Sequence, residues 1–170
     1  MLKRFFERKD EAGFTLIELM VVVLIIGILI AIALPTFLGA RTRAQNKAAQ
    51  SDLRNALVAA KTMYTDNSSY ATATASGLSG VEPSLCYYND VASVASGATA
   101  GNCASPGPTG GASVSVLAVA GEWSAARMSA STACYWIDDT PASGTTYGSD
   151  PAGGACTGTV AATATAATFP

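Results

Sequence analysis

The N-terminal third of the chain is dominated by one long apolar run. Residues 19–40 form 22 consecutive positions without a charge, and extending the run back to Phe14 adds a single acid, Glu18. A helix rises about 1.5 Å per residue, so a run of this length spans the roughly 30 Å hydrocarbon layer of a membrane. The pattern therefore predicts a membrane-spanning helix over residues 14–40. A carboxylate at this depth costs free energy and calls for a partner or a function.

Beyond residue 40 the helical pattern continues and becomes amphipathic. Apolar residues recur at spacings of three and four, which is typical of a helix with one buried face. The predicted buried stripe is Ala49, Leu53, Leu57, Ala60 and Tyr64, and the basic residues predicted on the solvated faces are Arg41, Arg43, Lys47, Arg54 and Lys61. The sequence thus predicts an amphipathic helix over residues 41–66 that needs a second layer to cover it.

Two residues weaken the helix inside the apolar run. Gly27 costs about 1 kcal/mol of helix propensity, and Pro35 costs about 3 kcal/mol because it removes a backbone donor and clashes with the preceding turn. We expect a bend near residues 32–35.

The C-terminal part predicts a sheet after a long loop. Residues 67–112 are rich in Ala, Ser, Thr and Gly and are interpreted as that loop. The strands predicted from alternation and turn residues are 113–119, 123–128, 133–137 and 145–147. Together with an edge strand over residues 157–161 they make an antiparallel head, 113–161, followed by a low-complexity tail without fixed structure, 162–170. The fold class is α+β, with the apolar stripe of the helix covering one face of the sheet.

Composition excludes several kinds of chemistry. The chain has no histidine, which removes hydrolase triads and zinc–histidine sites. Asp138, Asp139 and Asp150 can supply oxygen ligands to calcium, yet they lack a spaced loop pattern, so hydrated turn acids are the favoured interpretation. The sequence predicts no enzyme, no cofactor and no metal. A membrane-anchored enzyme or binding module stays open as an alternative from another class.

Charge is divided unevenly along the chain. Residues 1–61 hold nine of the ten Lys and Arg with five acids, whereas residues 62–170 hold Arg127 and seven acids. A basic flank before an apolar span favours the cytoplasmic side, and the acidic remainder can be exported. No specific nucleic-acid partner is predicted, because no aromatic residues lie between the basic residues of the helix and because the acidic C-terminal part of the chain repels a polyanion.

All four cysteines fall in the part predicted to be exported. Their spacing contains no C-x-x-C pair, and disulfides are favoured in an oxidising compartment. Of three possible pairings we prefer Cys86 with Cys103 and Cys134 with Cys156, because each pair closes a loop rich in small residues. Each would contribute roughly 3 kcal/mol. Spacing leaves the connectivity open.

The segment around Glu18 carries a specific resemblance. Residues 1–13 form the short charged leader MLKRFFERKDEAG, and residues 14–23 after it read FTLIELMVVV. This arrangement resembles the N-terminal signature of type IV prepilins and related pseudopilins. An ordinary secretory cut after Ala31-Ile32-Ala33 is disfavoured because the apolar run exceeds the usual 7 to 15 residues and Pro35 follows closely. A plain single-span anchor leaves Glu18 unexplained.

The resemblance implies a maturation pathway and an assembly. A prepilin peptidase would remove leader 1–13 by cutting between Gly13 and Phe14 and would N-methylate Phe14. The product would be the structural major subunit of a type IV pilus, with the pilin fold, held in the cytoplasmic membrane before assembly and then part of an extracellular filament on the cell surface. Its partners would be further copies of itself, the membrane, the peptidase and the pilus assembly machinery.

The resemblance also assigns roles within the helix. Glu18 would pair with the Phe14 amine of a neighbouring subunit, and the segment from Gly27 to Pro35 can lose helical order on assembly. The alternative is a pseudopilin of a type II secretion or competence system, which shares the same N-terminus.

Overall fold

The structure is a computed structural model that describes residues 13–89 and 113–169. The chain divides into two compact units that meet between Ala40 and Arg41. Helix α1 spans Leu16–Asn67 and contributes to both units. It is helical through Gly27 and Pro35, so the two predicted helices, 14–40 and 41–66, are one continuous element.

The second unit, which we call the head unit, contains a five-stranded sheet. Its strands in chain order are β1 Cys86–Asn89, β2 Ser113–Val119, β3 Glu122–Met128, β4 Cys134–Thr140 and β5 Gly144–Asp150. The spatial order is the same, and the pairs from β2 to β5 are antiparallel. The four strands predicted between residues 113 and 147 are therefore confirmed, with β4 and β5 longer than expected.

The predicted loop over residues 67–112 is wrong in its described part. It contains a 3₁₀ turn at Tyr70–Thr72, helix α2 at Ala75–Val81 and strand β1. Strand β1 pairs in parallel with β2, Cys86 lying opposite Ser113, so the sheet is mixed and not purely antiparallel. This four-residue strand follows no alternating pattern and pairs with a segment distant in sequence, which explains why local signals gave no sign of it.

The apolar stripe of α1 lies in the core as predicted. Ala49, Leu53, Leu57 and Ala60 are buried in one cluster with residues from the sheet, and Tyr64 packs against that cluster partly buried. The sheet supplies its largest buried side chains to the same layer, among them Trp123 and Ile137. Packing of this stripe holds the helix on the sheet. It also contributes more to the stability of the helix than helix propensity does.

The predicted edge strand over residues 157–161 is wrong. Gly158–Ala161 form a short helix, α3, whose first turn is capped by the Thr157 hydroxyl accepting from Val160 N at 3.3 Å. The helix packs closely on the sheet, because a Cβ on Gly158 would lie 2.5 Å from the backbone nitrogen of Leu117. Local capping and this close approach override the strand preference of the β-branched residues.

The tail after α3 is also more ordered than expected. Ala166 forms an isolated antiparallel bridge with Tyr147 in β5. The Phe169 ring packs against the rings of Tyr135 and Tyr147, with centroids 6.0 and 4.6 Å away, and the Arg54 guanidinium lies 5.1 Å above its centroid. The expectation of a tail without fixed structure is therefore wrong for residues 162–169.

Candidate processing and assembly site

Gly13 and Phe14 lie immediately before α1. Both are exposed, Phe14 to 79%, and they adopt no regular secondary structure. Among the described residues, nothing lies within 4 Å of the position that a Cβ would take on Gly13. The peptide bond between them is therefore accessible on an irregular segment. The rest of the predicted leader, residues 1–12, lies outside the described residues.

Thr15 and Glu18 form the N-terminal cap of α1. The Glu18 backbone N–H donates to Thr15 Oγ1 at 3.3 Å, and the Thr15 hydroxyl lies 3.5 Å from Glu18 Oε2, to which it donates. The Thr15 carbonyl accepts the first helical bond, from Leu19 N at 3.3 Å. Thr-x-x-Glu is the spacing of a capping box, a signal in the sequence that marks this helix start independently of the apolar pattern. The cap holds the Glu18 carboxylate in the first turn, where the helix dipole favours negative charge.

The helix following this cap presents its apolar side chains outward on all sides. Every large apolar residue from Leu16 to Leu38 is at least 46% exposed, and none of the most apolar window is buried. One described helix, α1, is long and apolar enough to cross a membrane. An apolar surface of this extent marks a site of contact with lipid or protein.

Gly27 and Pro35 sit inside this exposed helix. No atom of residues 13–89 or 113–169 lies within 4 Å of the Cβ position of Gly27. Just after Pro35, the Thr36 hydroxyl donates to the Ala33 carbonyl at 2.9 Å and so binds one backbone group near the proline. Loss of helical order between Gly27 and Pro35 in a filament stays a prediction.

A disulfide joins Cys134 in β4 to Cys156, just before α3, with Cα atoms 5.5 Å apart. This is one of the two preferred pairs. In the other pair, Cys86 is disulfide-bonded, and Cys103 lies outside the described residues.

The three acids considered for calcium are not brought together. Asp138 and Asp139 point to opposite faces of β4, and Asp150 accepts from the backbone nitrogens of Ala152 and Gly154 at 2.8 and 3.1 Å. Within the described ranges, no group of three or more Cys, Asp or Glu side chains is arranged to hold a metal ion. The observed contacts make Asp150 a turn residue.

Asp139 is instead the centre of a buried polar cluster. Lys61 Nζ lies 2.9 Å from its Oδ1, Thr145 donates to the same oxygen, and Tyr70 donates to Oδ2. Burial acts to raise the pKa of Asp139, but hydrogen bonds from Thr145, Tyr70 and Lys61, with the charge of Lys61, outweigh it and hold the pKa below its usual range. The cluster connects α1, the 3₁₀ turn, β4 and β5, so Lys61 is not merely a solvated base.

Asp138, on the opposite face of β4, has a pKa that is raised and not lowered. Burial raises its pKa to about 6, aided by the like charge and hydrogen bonding of Glu122 and by the charge of Asp139. One of its oxygens, Oδ1, is buried without a hydrogen-bond partner among the described residues. An ionised Asp138 is therefore unfavourable in the folded head unit.

We expect Asp138→Asn to stabilise the head unit by about 1 to 2 kcal/mol at about pH 7. Because the folded pKa is raised, the folded state binds a proton more tightly, and stability falls as pH rises from about 4 to about 6. The variant should lose this part of the pH dependence. Urea unfolding of the detergent-solubilised chain across this pH range measures both effects, with the exposed Asp66→Asn as control. A less stable variant at neutral pH would contradict the assignment.

Comparison with known proteins identifies the N-terminal segment. Residues 8–34 match the family model described as the prokaryotic N-terminal methylation motif. The chain is 44% identical over 59 residues to the type IV major pilin protein PilA of Myxococcus xanthus, a match covering 35% of this chain and 27% of that protein. It is 39% identical over 64 residues to the type IV wide pilus major component PilA4 of Thermus thermophilus, covering 38% and 49%.

A second group of relatives belongs to secretion systems. The chain is 42% identical over 66 residues to the type II secretion system core protein G of Klebsiella michiganensis, covering 38% of this chain and 46% of that protein. In these three comparisons the match spans no more than half the length of each relative. No solved structure matches the chain. The chain thus carries a prepilin-type N-terminal methylation motif, and its relatives are type IV major pilins and type II secretion core proteins G.

Proposed function

We propose that this protein is the structural major subunit of a type IV pilus, assembled into a helical surface filament through its apolar N-terminal helix. The observation that carries the proposal is the combination of an accessible Gly13–Phe14 bond with an exposed apolar helical segment that holds a carboxylate in its first turn. The chain's role is structural, and it needs no cofactor.

Cleavage at Gly13 gives the carboxylate a role. It creates a positive α-amine on Phe14, one helical turn before Glu18. A neighbouring copy shifted along the filament axis brings its amine to this carboxylate, and two charges that are each costly in a low-dielectric core neutralise each other. The pairing sets the axial register, while the apolar side chains between Leu16 and Leu38 pack against those of other copies.

The partners and location follow from this assembly. Before assembly the apolar helix lies in the cytoplasmic membrane, where a prepilin peptidase cuts and methylates the chain. The assembly machinery then moves the mature copies from lipid into an extracellular filament. In both environments the apolar surface of α1 is covered.

Intact-mass and N-terminal peptide analysis of the mature protein tests the processing. We expect the chain to begin at Phe14 with one added methyl group on its amine. A product that begins at Met1 or at Leu34 would overturn the proposal. Gly13→Val is expected to leave the leader attached, because a branched side chain obstructs the bond, and Gly80→Val, at another exposed position with open space around it, is the matched control.

A pseudopilin role is the second candidate, favoured by the similarity to type II secretion core proteins G. The two roles differ in what the filament does at the surface. Long filaments labelled by antibodies against the head unit on expressing cells support the pilus. Mature, methylated protein without surface filaments would favour the secretion role.

A further inference from the structure

The direction of β3 defines two ends of the head unit. At one end, Arg127 donates to the Ala48 carbonyl at 3.1 Å and Ser129 donates to Asn46 at 2.8 Å. At the other end, Tyr70 N donates to the Ala120 carbonyl at 3.3 Å. Strand β3 therefore runs antiparallel to α1. We call the end near residues 41–52 the proximal end and the end near residues 61–70 the distal end.

The proximal end carries unpaired positive charge. Arg41, Arg43 and Lys47 are exposed, and no ion pair joins them within the parts of the chain that the structure describes. Lys47 bonds only the neutral amide of Gln50, at 3.0 Å. The acids nearby are already engaged. Asp52 pairs with Arg127, and the carboxylate of Asp150, which lies opposite Cys134, accepts two backbone N–H groups. The carboxylate of Glu82, shortly before β1, accepts from the Ser84 backbone N–H and hydroxyl.

The distal end carries the opposite charge. Asp66 is exposed near the end of α1, and Glu122, which is partly exposed, begins β3, whereas Asp138 and Asp139 near the end of β4 are buried. In the described part of the chain, Lys61 is paired with Asp139, and no ion pair joins Asp66 or Glu122 to a basic residue. The head unit is therefore polarised along α1, with bases at the proximal end and acids at the distal end.

The proximal bases also conflict with simple membrane topology. Arg41, Arg43 and Lys47 follow directly after the apolar span, on the side that is exported. Positive residues close to a span favour the cytoplasmic side, so bases here weaken the orientation signal. Their presence is explained if they bind an anionic surface once exported.

We propose that the proximal basic surface of one copy binds the distal acidic surface of another copy, head to tail along the filament. This inference rests on the proposed filament. A contact between two different surfaces repeats indefinitely in an open helical polymer, because each copy offers one of each. Opposite charges then meet at every junction, whereas copies joined head to head, or lying parallel at the same height, would bring like charges together. A second copy still supplies an anionic surface to the proximal basic residues after the subunit has left the membrane, whereas lipid headgroups no longer contact these residues there.

Charge reversal with mixing tests the contact in the full-length protein expressed in its own cells. Arg41→Glu with Arg43→Glu gives a subunit acidic at both ends, and Asp66→Lys with Glu122→Lys gives one that is basic at both ends. Each exposed pair is worth a factor of about two to five, and reversing two charges replaces attraction by repulsion at both pairs, so we expect either variant alone to yield at least about tenfold fewer sheared filaments. Co-expression of the two should restore the yield through alternating junctions. Arg41→Lys with Arg43→Lys keeps the charge and should behave as wild type.

Cross-linking of assembled filaments locates the contact. A zero-length carbodiimide reagent should join Lys47 of one copy to Asp66 or Glu122 of another, and mixing isotopically light and heavy copies identifies bonds between chains. Wild-type yield from either reversed variant, or no rescue on co-expression, would overturn the inference. Loss of membrane retention in the Arg variant with normal filaments from the Asp66 and Glu122 variant would overturn it in favour of lipid headgroups. Absence of filaments from wild type would instead overturn the proposed function.

Discussion

Replacing Glu18 by Gln is expected to abolish filament formation while the leader is still removed. The change keeps the shape of the side chain but leaves the neighbouring Phe14 amine without a counter-charge in an apolar core. An uncompensated buried charge costs about 3 to 5 kcal/mol, which corresponds to a decrease of a hundredfold or more in assembly. Cleavage depends on the accessible bond after Gly13, which the substitution does not touch.

Two measurements separate these steps. The mass of the membrane-held protein reports cleavage and methylation, and sheared surface filaments report assembly. Glu18→Asp keeps the charge and should retain part of the assembly, whereas Glu82→Gln, a half-buried acid of the head unit, should leave assembly unchanged. Abundant filaments from the Glu18→Gln variant would rule out the pairing.

Thr15 contacts Glu18, so the effect of the substitution on the helix cap must be considered. Its hydroxyl both accepts from the Glu18 backbone and contacts the Glu18 carboxylate. A glutamine at position 18 keeps the backbone bond and can accept from the Thr15 hydroxyl, so the helix cap survives the substitution. The loss of charge is then separated from any loss of helix at the N-terminus.

The elements that the sequence predicts are those with strong local patterns. The buried stripe of α1 repeats over four turns, from Ala49 to Tyr64, so its buried face was evident. Strand β2 begins with alternating residues, and the turn at Gly121 separates it from β3. Each of these signals lies within one continuous segment, so the residues of that segment alone are enough to predict the element.

The missed elements depend on contacts between distant segments. Strand β1 exists because it pairs with β2, across 23 residues that separate Asn89 from Ser113. Helix α3 is placed by hydrogen bonds from the sheet, where Ser115 Oγ accepts from Gly158 N at 3.2 Å and Ser124 donates to Gly158 O at 2.9 Å. Small residues on this face let the helix backbone approach, which no pattern within residues 157–161 reveals.

The site was predictable to the same extent. The cleavage position and Glu18 lie in one short motif, so the sequence identifies both. The charge polarity of the head unit, by contrast, requires the antiparallel course of α1 and β3, since Asp66 and Glu122 are far apart in the chain. Lys61 shows the same limit, because its partner Asp139 lies 78 positions away.

Removing the disulfide by Cys134→Ala with Cys156→Ala is expected to destabilise the head unit by about 3 kcal/mol, since the bridge closes a loop with a separation of 22 residues. Both cysteines are almost fully buried, and alanine avoids placing a polar group there. The midpoint of urea unfolding, followed by tryptophan fluorescence in the detergent-solubilised chain, should fall by about 1 to 2 M. The exposed substitution Ser76→Ala is a control for a surface change.

The loss of stability should be concentrated in α3 and the tail that follows it. Without the bridge, α3 is held mainly by the two serine hydrogen bonds and its packing on β2, β3 and β4. The segment from Cys156 to Phe169 is therefore expected to exchange amide hydrogens faster than α1 and the central strands. Filaments of the variant should then lose head units to protease while their apolar core persists, because the bridge lies in the head unit and not in the assembly helix. An unchanged unfolding midpoint, or equal acceleration of amide exchange across the whole head unit, would contradict the expectation that the bridge mainly stabilises α3 and the tail.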